Sequence, residues 1–468
     1  VGTYKVNFDG NMYSTTTRTV NGLTITYDST NSYLTINGTP TTTGYNLNHI
    51  SGLTFTENDK YNLTLSYVSG TVTNSGTGSG STGVDVETTS LANASTRNYI
   101  SSSYITSGSA TRTLTINSAG ASEGAGFRLW LWFATPADWT FTNYKVKVNL
   151  TKSETANVTY GNTYGTLPTP KRVGFIFNGW YTGEKGTGTK VNSGDTVTIT
   201  KDTTLYAKWT ANTYTISFNG NMFSTTSRTL NGLTFTYDYD NSYLTINGTP
   251  TNTSTLLTNF TGLDLTSGDK YTMTLNYISG TYAYTGTGSA SFVADVANAA
   301  GTGNLATRNY FSAAYPTSGS KSNTLTASDL AGTDGSGFRY WMWATTPASQ
   351  TFTNYKMKVN ITKNDTKKVT YNSAYGALPI PKRAGFTFDG WYTGEKGTGT
   401  KITDTSIVSA NYNQTFYAKW KDNVLPYGTA SLSIASGKFT LKLSNQGDAG
   451  SGLTGTYGFA LTTNSNCS

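Results

Sequence analysis

Short stretches of this chain alternate strictly between apolar and polar side chains. Leu23-Thr24-Ile25-Thr26-Tyr27, Tyr61-Asn62-Leu63-Thr64-Leu65 and Tyr144-Lys145-Val146-Lys147-Val148 each send every second residue to one face, the period of a half-buried β-strand. Clusters of Gly, Asn, Ser and Thr separate these runs and supply turns. One run is more apolar than the rest. Phe127-Arg128-Leu129-Trp130-Leu131-Trp132-Phe133 puts Phe127, Leu129, Leu131 and Phe133 on one face and Arg128, Trp130 and Trp132 on the other. The pattern predicts an all-β protein.

The pattern also comes round twice. Thr3 to Trp209 is repeated as Thr213 to Trp420, with Asn31 to Pro40 recurring unchanged at Asn241 to Pro250 and Trp180 to Lys190 at Trp391 to Lys401. The offset grows from 210 to 211 between the copies of Asp85 and Arg97, which are Asp295 and Arg308; a length change there predicts a surface loop. Such a unit is too long for one solenoid repeat, so each copy should hold folded modules. Residues 1–152 and 213–363 have the short alternating runs of a β-sandwich or jelly roll. Residues 153–212 and 364–421 are shorter and punctuated by Pro, Lys and Gly. The tail, 422–468, matches neither module, and Ala430 to Ile434 and Phe439 to Leu443 read as two strands, either a hairpin unit or part of a further domain.

Composition narrows the possibilities. Charged residues make up 12% of the chain, about half the roughly 25% usual for soluble domains, which excludes a charge-rich disordered tail or a coiled coil. The net charge of +8 is scattered, with no Lys/Arg run interleaved with aromatics, so no specific nucleic-acid partner is expected. The single cysteine, Cys467, forbids an intrachain disulfide. No run of 18 apolar residues is present, so no transmembrane segment is expected. Val1-Gly2-Thr3 is not a charged n-region followed by an apolar core, which reads as a mature end or as a cut from something longer.

The short modules resemble a known family. Tyr164-Gly165-Thr166-Leu167-Pro168, Gly174-Phe175-Ile176-Phe177-Asn178-Gly179-Trp180-Tyr181 and Leu205-Tyr206-Ala207-Lys208-Trp209 recur in order as Gly376-Ala377-Leu378-Pro379, Gly385-Phe386-Thr387-Phe388-Asp389-Gly390-Trp391-Tyr392 and Phe416-Tyr417-Ala418-Lys419-Trp420. Residues 157–210 and 368–421 are thus similar to the Listeria-Bacteroides repeat, the internalin-type B-repeat. The resemblance implies a small β-grasp-like domain of secreted or wall-attached bacterial proteins, a spacer and weak interaction module without known catalytic residues. The long modules are similar, over Asn21 to Ile25 and Leu34 to Thr39, to segments of bacterial surface and phage structural proteins. From the residues alone, Phe175, Phe177 and Tyr181 are expected on one face, with Trp180 turned over Gly179.

Candidate chemistry is sparse. His49 is the only histidine, and the matching stretch of the second copy reads Asn259-Phe260-Thr261, so no Ser-His-Asp or Cys-His set is shared by the copies. The repeated carboxylates, Asp28/Asp238, Asp59/Asp269, Asp85/Asp295 and Glu184/Glu395, fall mostly in turn-like stretches. No catalytic residue, cofactor or metal is therefore expected; Asp238 and Asp240 are weak candidates for calcium, since the first copy reads Asp28-Ser29-Thr30 and lacks the second acid. The sharper candidates are Arg128, Trp130 and Trp132 with Arg339, Trp341 and Trp343. Flat aromatics beside a guanidinium suit stacking on sugar rings; the competing reading is a strand buried on both faces. The expectation is a non-catalytic extracellular structural or adhesive repeat protein of a bacterial surface, a stalk or array whose partners are glycans or other copies of its own modules. A phage fibre or decoration protein, and a carbohydrate-binding accessory region of a larger enzyme, stand as alternatives.

Overall fold

The structure, a computed structural model, describes residues 2–88, 98–117, 123–302, 308–311, 315–327, 335–422, 429–435 and 438–444. Cys467 and residues 303–307 of the loop expected between Asp295 and Arg308 lie outside these residues. The chain divides into two compact units, Val1–Ile216 with Thr366–Leu378 and Thr403–Gln414, and Ser217–Asp365 with Pro379–Ile402 and Thr415–Ser468. It is all-β: among the described residues the helical segments are three-residue turns such as Pro136–Asp138 and Glu184–Gly186.

The first copy runs β1 (Thr3–Asp9), β2 (Arg18–Val20), β3 (Leu23–Asp28), β4 (Tyr33–Gly38), β5 (Gly44–Thr54), β6 (Lys60–Asn74), β7 (Gly80–Glu87), β8 (Asn98–Ser101), β9 (Ser109–Thr115), β10 (Glu123–Phe133), β11 (Trp139–Lys152), β12 (Thr155–Thr159), β13 (Phe175–Gly183), β14 (Thr187–Val191) and β15 (Thr203–Ala211). Two sheets, β2-β3-β4-β11-β6-β9 and β5-β10-β7-β8, make a sandwich. The apolar face of each run supplies its core: Leu23, Ile25 and Tyr27 from one sheet meet Phe127, Leu129, Leu131 and Phe133 from the other in one buried cluster. Tyr61 and Phe127 stand edge to face at 5.1 Å within it.

Strand β11 keeps this alternation only through a bulge. Phe141 and Tyr144 are both buried although three positions apart, and the register shifts between them. Asn143 takes a positive φ of 46°, and Gly70 opposite it has φ 87°. A Cβ on Gly70 would lie 2.0 Å from the Asn143 carbonyl oxygen, so only glycine allows the approach.

The remaining strands form a second, smaller sheet in the order β12-β1-β15-β13-β14. Strand β1 pairs antiparallel with β12 and parallel with β15. The boundary expected at 152 would thus part β1 from the strands it completes: the sandwich is an insertion between β1 and β12. Val6, Phe8, Val158, Trp180, Val197 and Leu205 form the core of this sheet. The expectation that Phe175, Phe177 and Tyr181 share a face needs correction at Tyr181. A bulge between Phe177 and Gly179, with Gly179 at φ 119°, resets the alternation. Trp180 then joins Phe177, at 5.5 Å between rings, and the Tyr181 ring lies under the Lys208 ammonium, 5.1 Å away.

The second copy runs β16 (Thr213–Asn219), β17 (Arg228–Leu230), β18 (Leu233–Asp238), β19 (Tyr243–Gly248), β20 (Ser254–Phe260), β21 (Lys270–Tyr284), β22 (Ala290–Ala297), β23 (Asn309–Tyr310), β24 (Ser320–Thr326), β25 (Gly337–Ala344), β26 (Gln350–Lys363), β27 (Thr366–Thr370), β28 (Phe386–Tyr392), β29 (Lys401–Ile402) and β30 (Gln414–Asp422). Its sheets, β17-β18-β19-β26-β21-β24, β20-β25-β22-β23 and β27-β16-β30-β28-β29, keep the strand order of the first copy throughout. In the tail, β31 (Thr429–Ala435) and β32 (Lys438–Ser444) pair as an antiparallel two-stranded sheet.

Candidate functional site

The tryptophan strand is central in its sheet, β10 lying between β5 and β7. Cross-strand register sets Arg128 opposite Asp85, Trp130 opposite Gly83 and Trp132 opposite Ser81. The Arg128 guanidinium donates to Asp85 at 2.7 Å, and the carboxylate is fully buried. The Trp130 ring fills the space that a side chain at Gly83 would take and meets Tyr99 edge to face at 5.5 Å. Trp130 is only 3% exposed, so no ring face is left for a sugar.

The second copy solves the same position differently. Val293 replaces the glycine opposite Trp341, the Trp341 ring stays partly exposed, and Arg308 covers it at 4.4 Å. Arg339 grips the buried Asp295 through two nitrogens, at 2.9 and 2.7 Å. Trp132 and Trp343 are half-buried. The two arginines thus hold buried carboxylates, and the strand does not present one shared shelf of rings.

Of the weak calcium candidates Asp238 and Asp240, Asp238 is engaged inside its own turn. Both Asp238 oxygens accept from Asn241, one from its backbone N–H at 3.1 Å and one from its amide at 2.6 Å. Burial raises this carboxyl, but the Asn241 bonds outweigh it and hold it below the usual range. It serves as a turn cap. Among the described residues no group of three His, Cys, Asp or Glu side chains is placed to hold a metal.

The residues that sequence reasoning missed lie at the seam between sandwich and small sheet within each unit. Arg172, 6% exposed, precedes β13 and reaches back into the sandwich. Its Nε donates to the Tyr13 carbonyl at 2.9 Å, and one terminal nitrogen donates to the Tyr27 hydroxyl at 2.8 Å and the Ser29 carbonyl at 3.1 Å. Its plane lies 4.0 Å from the Phe175 ring centre. The Trp209 indole donates to the Gly10 carbonyl at 2.8 Å, and Lys147 pairs with Glu184 at 2.8 Å. The second copy repeats each contact: Arg383 to Phe223, Tyr237 and Tyr239, Trp420 to Gly220, and Lys358 to Glu395.

A cleft opens beside each seam, about 200 Å³ in the first copy and about 180 Å³ in the second. The first is lined by Asp9, Asn31, Lys147, Asn149, Lys185 and Tyr206 along with the Arg172, Phe175 and Trp209 group. The Asp9 carboxylate accepts from the Asn149 amide at 2.7 Å; burial raises its pKa, against the pull of that bond and of the Asn11 N–H. Lys185 reaches across to the Asn31 amide oxygen, as Lys396 does to Asn241. The signal for these residues was that Asn31 and Lys185 sit inside the two unchanged stretches, and Phe175, Tyr206 and Trp209 inside the recurring motifs of the short modules. Their partners are too distant in sequence for any periodicity to join them.

Comparison with known proteins places the small sheet. Residues 136–208 and 351–419 match the Listeria-Bacteroides repeat domain. The chain carries that repeat twice. The first Listeria-Bacteroides match begins at Pro136 and so includes β11 of the sandwich, while β1 lies outside it. Two solved structures show low similarity. The N-terminal CBM22-1-CBM22-2 tandem domain of Paenibacillus barcinonensis Xyn10C has 10% identity and a TM-score of 0.21, covering 74% of this chain and 92% of that one. The type II cohesin dyad from the adaptor ScaA scaffoldin of Acetivibrio cellulolyticus has 11% identity and a TM-score of 0.07, covering 79% and 88%. No curated protein matches the chain.

Proposed function

We propose that this is a non-catalytic, extracellular structural and adhesive repeat protein of a bacterial surface, in which each unit is a stiff spacer that presents binding faces. The observation that carries the reading is the interlock within a unit. Both ends of the sandwich leave from neighbouring strands of the small sheet, and the same buried Arg172 or Arg383 closes the seam. Two chain connections and a desolvated hydrogen-bonded arginine resist hinge motion far better than a single flexible linker. The composition, poor in charge and rich in Thr and Gly, and the two Listeria-Bacteroides repeats support a place outside the cell. Among the described residues no helix is long and apolar enough to cross a membrane.

Fractionation of the producing cells tests this. Recovery in the wall or secreted fraction, with loss from intact cells on protease treatment, is the expected result. Recovery only in purified phage particles would make it a virion component instead. Hydrolysis of a polysaccharide or peptide panel by the purified chain, abolished by changing one carboxylate, would overturn the non-catalytic reading.

A further inference from the structure

The seam clefts have the chemistry of a binding site. Their bases outnumber their acids: Lys147, Arg172 and Lys185 face Asp9 and Glu184 in the first copy, and Lys358, Arg383 and Lys396 face Asp240 and Glu395 in the second, where Lys419 is paired with Asp389. A free cation is disfavoured there and an anionic group favoured. Lys147 gives one hydrogen bond to Glu184, and Lys185 gives one to Asn31. An ammonium has three donors, so both retain N–H groups for a ligand.

Lys185 and Lys396 stand at φ 60° and 59°, in the left-handed region that lysine rarely occupies. The same unusual backbone occurs at the same place in both copies, and it carries each ammonium to the rim of its cleft. Beside these donors stand the partly exposed rings of Phe175, Tyr206 and Trp209, and their equivalents Phe386, Tyr417 and Trp420. Rings next to hydrogen-bond donors suit a sugar, whose C–H face stacks while its oxygens accept. The volumes lie below the roughly 300–1,000 Å³ of pockets for drug-sized ligands, which limits the occupant to about one sugar residue.

We propose that each seam cleft binds one carboxylate-bearing sugar residue, such as a uronate within a surface polysaccharide. The carboxylate would take the spare N–H groups of Lys147 and Lys185, or of Lys358 and Lys396, and the sugar ring would lie along the aromatic wall. This rests on the adhesive reading above and moves its glycan contact from the tryptophan strand to the seam. The second cleft should be the tighter, having Asn219 where the first has the carboxylate of Asp9.

Calorimetric titration of the whole chain with methyl glucuronide tests the proposal, with methyl glucoside, acetate and inorganic phosphate as controls. Two glucuronide sites per chain are expected, with each control at least about tenfold weaker. Lys185→Asn and Lys396→Asn each remove one ammonium while placing a residue that tolerates the left-handed backbone. Each should abolish one site, and the double variant both, with unchanged melting temperature. Absence of glucuronide binding at millimolar concentration, equal binding of acetate or phosphate, or full binding by the double variant would each overturn the proposal. The cell-fractionation result does not depend on any of these outcomes.

Discussion

The guanidinium of Arg172 is held by two carbonyls and a hydroxyl from the sandwich and lies over an aromatic ring of the small sheet. Lysine is long enough to reach one of these acceptors but lacks the planar fork that serves several. Arg172→Lys should therefore destabilise the first unit by about 2–3 kcal/mol, since buried acceptors are left without donors; urea unfolding measures this. A second residue-scale effect concerns Gln350, fully buried where the first copy has Trp139. Among the described residues neither its Oε1 nor its Nε2 finds a partner. Gln350→Leu should stabilise the chain by about 1–2 kcal/mol by removing the orphaned amide, read as a higher melting temperature.

Asp9 gives a pH signature. Its folded pKa is raised by burial, whereas an unfolded aspartate titrates near about 3.9. Between those two values the folded chain holds the extra proton, so stability falls as pH rises through that window and stays lower above it. Asp9→Asn, the residue found at Asn219, should remove this fall and raise stability at neutral pH; unfolding curves across the acidic range check it. None of this was legible in the sequence. Arg172 stands two residues before the Gly174–Tyr181 motif, yet nothing local shows that it reaches a carbonyl 159 positions away.

At the scale of elements, period-two patterning located the strands well wherever the pleat is unbroken. The run from Phe127 to Phe133 has the buried face expected of it. Bulges are where alternation misled, because one inserted residue moves every later side chain to the other face. Gly179 did this to Tyr181. The bulge at Asn143 allows a direct test: Gly70→Ala should cost more than about 2 kcal/mol, combining positive φ with a clash against backbone. Gly52→Ala is the control, since Gly52 also has positive φ, 82°, but nothing within 4 Å of its would-be Cβ. It should lose only about 1 kcal/mol. Equal losses in denaturant unfolding would mean that the close approach is not the cause. The tryptophan strand marks another limit of pattern reading. The sequence shows which residues share a face, but the cover over Trp130 depends on a glycine in another strand, brought opposite only by the fold.

At the scale of the whole molecule, duplication was plain from identical stretches, and the strand order is the same in both copies. The insertion was not plain, because β1 is short and alternates as the sandwich strands do. Composition therefore joined it to the sandwich, while hydrogen bonding joins it to β12 and β15. This is the central claim about the unit: the small sheet is complete only with a strand that precedes the sandwich. It is tested by comparing two short polypeptides, residues 153–212 alone, and the same residues preceded by Thr3–Asp9 through a four-residue turn. Without β1, both β12 and β15 lose a partner and Phe8 leaves its place against Trp180, 5.0 Å away. Cooperative thermal unfolding followed by near-ultraviolet circular dichroism is expected for the second polypeptide and not for the first. A cooperative transition at the same temperature in both would contradict the account.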